Sequence, residues 1–243
     1  MRIVLLRHGE TDRNATDRFQ GQADIPLNDT GVRQAQVIAR SLSPDGWSAV
    51  YSSCLARAAQ TAAYAAGRLG VPHRRLDGLR ERDLGTLDGQ GRAEFARRHP
   101  GTMRRLLTDP DYAPPGGETG RAVLSRSAAA LRTIAEAETE AEADKAGRTL
   151  PAVLAVTHGG VLNLLTRALA GAGATPEVLV RTGAAVCVDV GWSPAGRPRA
   201  ALRRWNVAPH ECEEAPAPPV PPSFVDLDSL VLDELNSKEV TRT

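Results

Sequence analysis

Two hydrophobic periods share this chain. Unbroken apolar runs read as buried strands: Ile3-Val4-Leu5-Leu6, the segment 47–53 around Val50 and Tyr51, and Ala152-Val153-Leu154-Ala155-Val156 within 151–157. Between them, apolar residues recur every three or four positions, the spacing of one helical face. Ala35, Ile38, Ala39 and Leu42 mark a helix capped by Asn28 or Asp29 and ended by Pro44-Asp45-Gly46. Ala58, Ala59, Ala62, Ala65, Ala66 and Leu69 give the next helix a small, close-packing face. Val123, Leu124, Ser127, Leu131 and Ile134 mark the buried side of a long helix, with a charged end over 136–145 expected to be solvated. A further, strongly apolar helix carries Val161, Leu162, Leu164, Leu165, Ala168 and Leu169. Residues 71–76, 184–190 and 200–205 supply three more strands, about six in all. Segments 94–99 and 103–107 predict two weak helices, so 91–116 reads as an excursion over the sheet edge, a partial lid or cap.

The pattern changes after Asn206, where the compact unit, residues 1–206, is expected to close. Pro209, Pro216, Pro218, Pro219, Pro221 and Pro222, with Glu211, Glu213 and Glu214, read as an extended polyproline-type linker. Leu227, Leu230, Val231 and Leu235 then fit one helical face. The tail 207–243 is therefore either a disordered acidic segment or a linker with a short helix over 224–236. Such a helix would dock on the core or in a homodimer.

Composition narrows the classes. The 243 residues carry a formal charge of +1, so nothing global drives the chain to nucleic acid or membrane. Aromatics are 4%, too few to interleave with a basic face as a nucleic-acid platform requires. Cys54, Cys187 and Cys212 are odd in number and lack CxxC spacing, which argues against a disulfide framework or a cysteine zinc site. No apolar run at the start is long enough for a signal peptide or a span. These features predict a soluble, cytoplasmic protein. The histidines show no metal-ligand spacing, so no metal or cofactor is expected.

The candidate chemistry gathers where strands end. The first strand runs into Arg7-His8-Gly9-Glu10-Thr11, and the strand at 151–157 runs into Thr157-His158-Gly159-Gly160. The C-terminal edge of a parallel sheet is where α/β folds hold ligands. If the two strands are neighbours, His8 and His158 meet. Arg57 falls in the first turn of a helix that follows another strand, where the macrodipole disfavours a cation unless an anion lies beside it. The loop 79–89 brings Glu81, Asp83 and Asp88, any of which could donate a proton to a leaving alcohol. The polar loop 14–26 reads as a substrate rim. His73, His99 and His210 are assigned surface or structural roles.

Taken in order, these pieces resemble the histidine phosphatase, or phosphoglycerate-mutase-like, superfamily. The matching residues are Arg7-His8-Gly9-Glu10-Thr11, Gln20-Gly21 with Pro26-Leu27, and Ser52-Ser53 with Arg57-Ala58 and Gln60-Thr61-Ala62. Leu79-Arg80-Glu81, Gly117-Glu118-Thr119 and Thr157-His158-Gly159-Gly160 complete them. The resemblance covers about residues 2–206 and implies an α/β fold, a mostly parallel central sheet flanked by helices in a three-layer sandwich. It implies that His8 attacks phosphorus and carries the phosphoryl group, while Arg7, Arg57 and a protonated His158 surround the phosphate oxygens. Glu81 matches the acid that protonates the leaving oxygen and then activates water. Asn14, Gln20, Gly21 and Gly159 match positions that contact phosphate or substrate, whereas Glu10, Thr11 and Glu118 match loop braces. No metal is required, because arginines and histidines supply the positive charge.

The run after the acid, Leu84-Gly85-Thr86-Leu87-Asp88-Gly89, lacks the Tyr and Lys of the mutase pattern, and 91–116 is short. The resemblance is thus to the phosphatase branch, acting on a small-molecule phosphate ester. Phosphoglycerate-mutase-type transfer, or a catalytically weak protein-binding role, is the alternative. Leu84 and Leu87 replace aromatics of that branch. Arg82 is an unexpected neighbour of the acid and would lower its proton affinity if it pointed inward.

Overall fold

The computed structural model describes residues 1–142, 152–170, 180–213 and 224–227. In chain order these form β1 (Arg2–Arg7), α1 (Asp12–Ala15), α2 (Asp29–Ser41), β2 (Trp47–Ser52), α3 (Ala56–Leu69) and β3 (His73–Arg75). There follow α4 (Arg92–Arg98), α5 (Pro100–Thr108), α6 (Gly120–Glu142), β4 (Ala152–Thr157), α7 (Gly159–Ala170), β5 (Ala185–Trp192) and β6 (Pro198–Val207). Helix α8 (Pro209–Glu213) and β7 (Val225–Asp226) come last.

One sheet holds all seven strands in the order β3-β2-β4-β1-β5-β6-β7. The four strands from β3 to β1 are mutually parallel, and β5, β6 and β7 each pair antiparallel to the preceding strand. The expectation of a mostly parallel sheet therefore holds for the half that ends in the candidate chemistry. In the half from β5 onward each pair is antiparallel, and the short hairpin joining β5 to β6 reverses direction there without a crossover helix.

Alternation along the strands makes three layers. Ile3, Leu5, Val153 and Ala155 face Leu131, Ile134, Leu162 and Leu165 of α6 and α7. Val4, Leu6, Leu154 and Val156 face Ile38, Ala58, Ala62 and Ala65 of α2 and α3. A strand buried on both faces reads as a continuous apolar run, which is why β1 and β4 were the clearest strands in the sequence. Segment 91–116 has a small core of its own, where Phe95 and Leu106 pack with Phe19 and Leu87.

Several expectations fail. The compact unit does not close at Asn206. Helix α8 packs on the α2 side with Cys212 fully buried, and β7 adds an edge strand with Leu227 buried behind it. Val225–Asp226 is strand rather than the start of a 224–236 helix, because its backbone pairs with Arg199 and Ala200. The linker at 214–223 and residues 228–243, with the remainder of the expected helix, lie outside the described residues. Cys187 and Cys212 form a disulfide joining β5 to α8, with Cα atoms 5.8 Å apart, and Cys54 is left free. An odd count did not reveal this, since one pair and one spare thiol satisfy it. The third strand is confined to His73–Arg75. Glu138 in the charged end of α6 is buried, not solvated, because Tyr51 and Arg74 both donate to it. No helix among the described residues is long and apolar enough to cross a membrane.

Candidate active site

Strands β1 and β4 are neighbours, with Arg7 opposite Thr157 in register. The next residue on each is a histidine, and the His8 N–H donates to the Thr157 carbonyl (3.1 Å). The two imidazoles lie 5.0 Å apart between ring centroids, tilted by 60°. Both side chains are almost wholly buried.

Their hydrogen bonding differs. His8 Nδ1 lies 2.6 Å from the Gly9 carbonyl oxygen. A carbonyl only accepts, so Nδ1 carries the proton and Nε2 keeps a free lone pair. Neither ring nitrogen of His158 has a partner among the described residues. Burial, then Arg57 and Arg7, hold the His8 pKa well below the ordinary 6.5, and the Gly9 bond opposes this only in part. Burial, then Arg57, His8 and Arg7, depress His158 in the same direction. Both shifts favour the neutral ring in the free site. A protonated His158, expected from the sequence, would need an anion beside it.

Two arginines flank the pair. Arg7 donates from Nη1 to the Val180 carbonyl (2.6 Å), leaving its buried Nε unpaired. Arg57 is completely buried and donates to the carbonyls of Ala23 (2.7 Å) and Gly21 (2.8 Å), and its Nε is also unpaired. Burial pushes both guanidinium pKa values down, and the charge of Glu81 opposes this. The two buried, unpaired Nε groups and a His158 donor nitrogen leave a set of donors that a bound anion would satisfy.

Glu81 closes the other side. Its Oε2 accepts from the Gly160 N–H (3.0 Å) at the start of α7, and its Oε1 from the Arg82 N–H (2.8 Å). Arg82 does not point at the acid. Its guanidinium donates to the carbonyls of Glu118, Leu106 and Tyr112, so it pins segment 91–116 to the acid loop.

The remaining expected residues sit around this centre in different ways. Asn14 forms a capping box with Thr11, and the Thr11 hydroxyl donates to the Gln20 side chain (2.9 Å). Gly21 turns its carbonyl to Arg57, and Gly159 packs against the Arg7 guanidinium. Glu10 receives Asn28. Glu118 is a brace, pairing with Arg126 (2.9 Å) and accepting from the Asp83 N–H. Sequence reasoning missed Arg126, which also donates to the carbonyls of Gly78, Arg80 and Glu81. Nothing in the sequence separates it from any exposed arginine on a long helix. His73 bonds Ser52 and His99 stacks on Phe95. The described residues contain no group of three or more metal-ligating side chains.

Comparison with known proteins gives one consistent answer. The model of the histidine phosphatase superfamily (branch 1) matches residues 3–205. A glucosyl-3-phosphoglycerate phosphatase of Mycolicibacterium vanbaalenii is 38% identical over 170 residues, covering 70% of this chain and 74% of that protein. A metal-independent phosphoserine phosphatase of Arabidopsis thaliana is 36% identical over 181 residues, covering 73% and 72%. The solved structure of mycobacterial glucosyl-3-phosphoglycerate phosphatase with VO3 superposes with a TM-score of 0.75 at 30% identity, covering 85% of this chain and 99% of that one.

Proposed function

The chain belongs to the histidine phosphatase superfamily, branch 1, and on that footing we propose that it hydrolyses small-molecule phosphate monoesters through a phosphohistidine at His8 Nε2. The observation that carries this is the 2.6 Å contact of His8 Nδ1 with the Gly9 carbonyl, which commits the proton to Nδ1 and leaves Nε2 with the lone pair for attack. In the first step Nε2 attacks phosphorus, the P–O ester bond breaks, and Glu81 gives its proton to the leaving oxygen. In the second, Glu81 takes a proton from water, water attacks phosphorus, and the P–N bond breaks to release phosphate and neutral His8. Arg7, Arg57 and His158 stabilise the charge on the equatorial oxygens, and arrival of the dianion raises the proton affinity of His158.

Relatives named for glucosyl-3-phosphoglycerate and phosphoserine support a small organic ester as substrate, rather than nucleic acid. We propose the cytoplasm as compartment, where the Cys187–Cys212 pair that is bonded in the structure would be held reduced. Thiol trapping in intact cells checks this, because Cys187–Cys212 found bonded there would indicate an oxidising compartment.

The test is rapid quenching with a phosphorus-labelled aryl phosphate in EDTA. The expected result is an acid-labile, base-stable label on His8 and steady release of phosphate. Label on another residue, or full turnover by His8→Ala, overturns the reading.

A further inference from the structure

The chain reaches Glu81 without long regular structure: after one short turn at Asp77–Leu79 it runs extended through Arg80. The carbonyls of such a run still need donors, because backbone polar groups taken out of water are costly to leave unpaired. Side chains supply them for four consecutive residues. Arg126 of α6 donates from Nη1 to the carbonyls of Gly78 (3.0 Å) and Arg80 (2.6 Å), and from Nη2 to that of Glu81 (2.9 Å). The Thr157 hydroxyl donates to the Leu79 carbonyl (2.8 Å), and the Gln22 amide gives the Glu81 carbonyl a second donor (3.0 Å).

The other two N–H groups of Arg126 go to Glu118, from Nε to Oε1 (3.0 Å) and from Nη2 to Oε2 (2.9 Å). All five guanidinium donors are therefore engaged, two in a bidentate carboxylate pair and three along the run that carries the acid. Glu118 in turn accepts from the Asp83 N–H (2.9 Å), and its own N–H donates to the Asp83 carbonyl (2.9 Å). The chain is thus held on both sides of Glu81. The Glu81 carboxylate itself meets two backbone donors, the N–H groups of Gly160 and Arg82. Gly160 lies in the first turn of α7, where an N–H has no partner inside the helix. A Cβ at Gly160 would sit 2.3 Å from Glu81 Oε1, so the carboxylate fits closely against the helix start. The course of 78–81 decides whether it reaches that place.

We propose that Arg126 is a positioning residue for proton transfer: by spanning the carbonyls of Gly78, Arg80 and Glu81 from its pair with Glu118, it sets the Glu81 carboxylate where the leaving oxygen departs. The inference rests on the phosphatase reading and deepens it. A displaced carboxylate would deliver its proton poorly, while the histidines and arginines of the centre still held the phosphate. Arg126 also adds the last share to the depression of His158, behind burial, Arg57, His8 and Arg7. Lysine at this position keeps that charge, but the three donors of a single ammonium cannot span the same four residues. Charge and hydrogen bonding are thereby separable.

The experiment measures kcat and KM for wild type, Arg126→Gln, Arg126→Lys, Glu81→Gln and the Arg126→Gln/Glu81→Gln double variant. The substrates are glycerol 3-phosphate, whose alkoxide must be protonated, and p-nitrophenyl phosphate, whose leaving group needs little help. Arg126→Gln should lower kcat on the alkyl ester at least about tenfold more than on the aryl ester, with KM changed by less than about threefold. Arg126→Lys should show the same selectivity at smaller size. In the Glu81→Gln background, Arg126→Gln should cost less than about threefold further, because the group it acts through is already gone. Equal losses on the two esters, or losses that multiply in the double variant, overturn the proposal. Amide exchange reads the same placement without turnover. The Gly160 N–H, bonded to Glu81, should exchange at least about tenfold faster in Arg126→Gln, or in Arg126→Lys where the former does not fold. The His8 N–H, bonded to the Thr157 carbonyl, should keep its wild-type rate. An unchanged Gly160 rate also overturns the proposal. If wild type turns over no ester, the phosphatase reading fails on its own, and Gly160 exchange then decides whether Arg126 places Glu81.

Discussion

The ends of β1 and β4 are written alike, as a buried strand, His-Gly and a helix, and they lie side by side in register, yet they are chemically unequal. His8 has one ring nitrogen committed to its own loop, whereas His158 has neither nitrogen partnered among the described residues. Gly9 approaches the backbone of Gly31 across to α2, whereas Gly159 approaches the guanidinium of Arg7. The β1 end is thus tied internally, and the β4 end faces the site. Shared local pattern sets where the two histidines meet. The hydrogen bond each can make sets what each can do.

The largest effects test that inequality directly. His8→Ala should lower kcat at least about 10⁴-fold and abolish the labelled intermediate, since it removes the lone pair that the Gly9 bond fixes on Nε2. His158→Ala should lower kcat about 10²–10³-fold, the usual cost of losing one donor to transferring oxygens, while the label on His8 still forms. Equal losses, both without label, would erase the distinction. Glu81, held by the Gly160 N–H, belongs to the β4 end. Glu81→Gln should cost about 10²-fold on an alkyl phosphate and much less on p-nitrophenyl phosphate, whose leaving group needs little protonation. Stopped-flow rates on the two esters check this.

The glycines extend the comparison at smaller scale. A Cβ on Gly9 would sit 2.7 Å from the Gly31 carbonyl oxygen, a backbone atom that cannot yield cheaply. Gly9→Ala should therefore destabilise the fold by about 1–3 kcal/mol, read by urea denaturation. A Cβ on Gly159 would sit 3.1 Å from Arg7 Cζ, the end of a side chain that can move. Gly159→Ala should leave stability nearly unchanged and lower kcat/KM about tenfold by displacing Arg7. Reversed outcomes would mean that the β4 end is the tied one.

Much of this was legible in the sequence, for a physical reason. β1 and β4 are buried on both faces, so their apolar runs stand out, and the residues after them fall at the sheet edge whatever the loops do. The partners of Arg82 and Arg126 were not legible. Arg82 acts on backbone carbonyls alone and Arg126 on three of them besides Glu118, and carbonyls are carried by every residue, so no residue type marks those targets. Reading Arg82 as a partner of Glu81 rested on adjacency in sequence, whereas its guanidinium is spent on the carbonyls of Glu118, Leu106 and Tyr112. The tail misled for a similar reason. Proline content marks where regular structure is interrupted, but says nothing about Cys212 or Leu227 returning to the core on either side of the interruption.

The smallest effect is the pH dependence, and it separates the two rings most finely. Both pKa values lie below the ordinary 6.5 in the free protein, chiefly through burial. His8 must be neutral to attack, so the acid limb of kcat/KM, which reports the free enzyme, should fall below pH 6.5. Stability follows the same sign. As pH drops past 6.5 the unfolded chain binds protons that the folded histidines refuse. The stability these residues contribute is complete above 6.5 and is lost as pH falls through their folded values. His158→Asn should flatten that loss in thermal melts between pH 7 and 5 without moving the neutral-pH midpoint by more than a few degrees. Ligand binding then distinguishes the partners. Phosphate or vanadate brings negative charge against a His158 whose nitrogens are both unpaired, so its proton affinity should rise, while His8 stays neutral with Nδ1 still donating to Gly9. Imidazole nitrogen chemical shifts with and without vanadate measure this. Only one of the two rings should move toward the protonated form, and movement of His8 instead would exchange the roles assigned to the two strand ends.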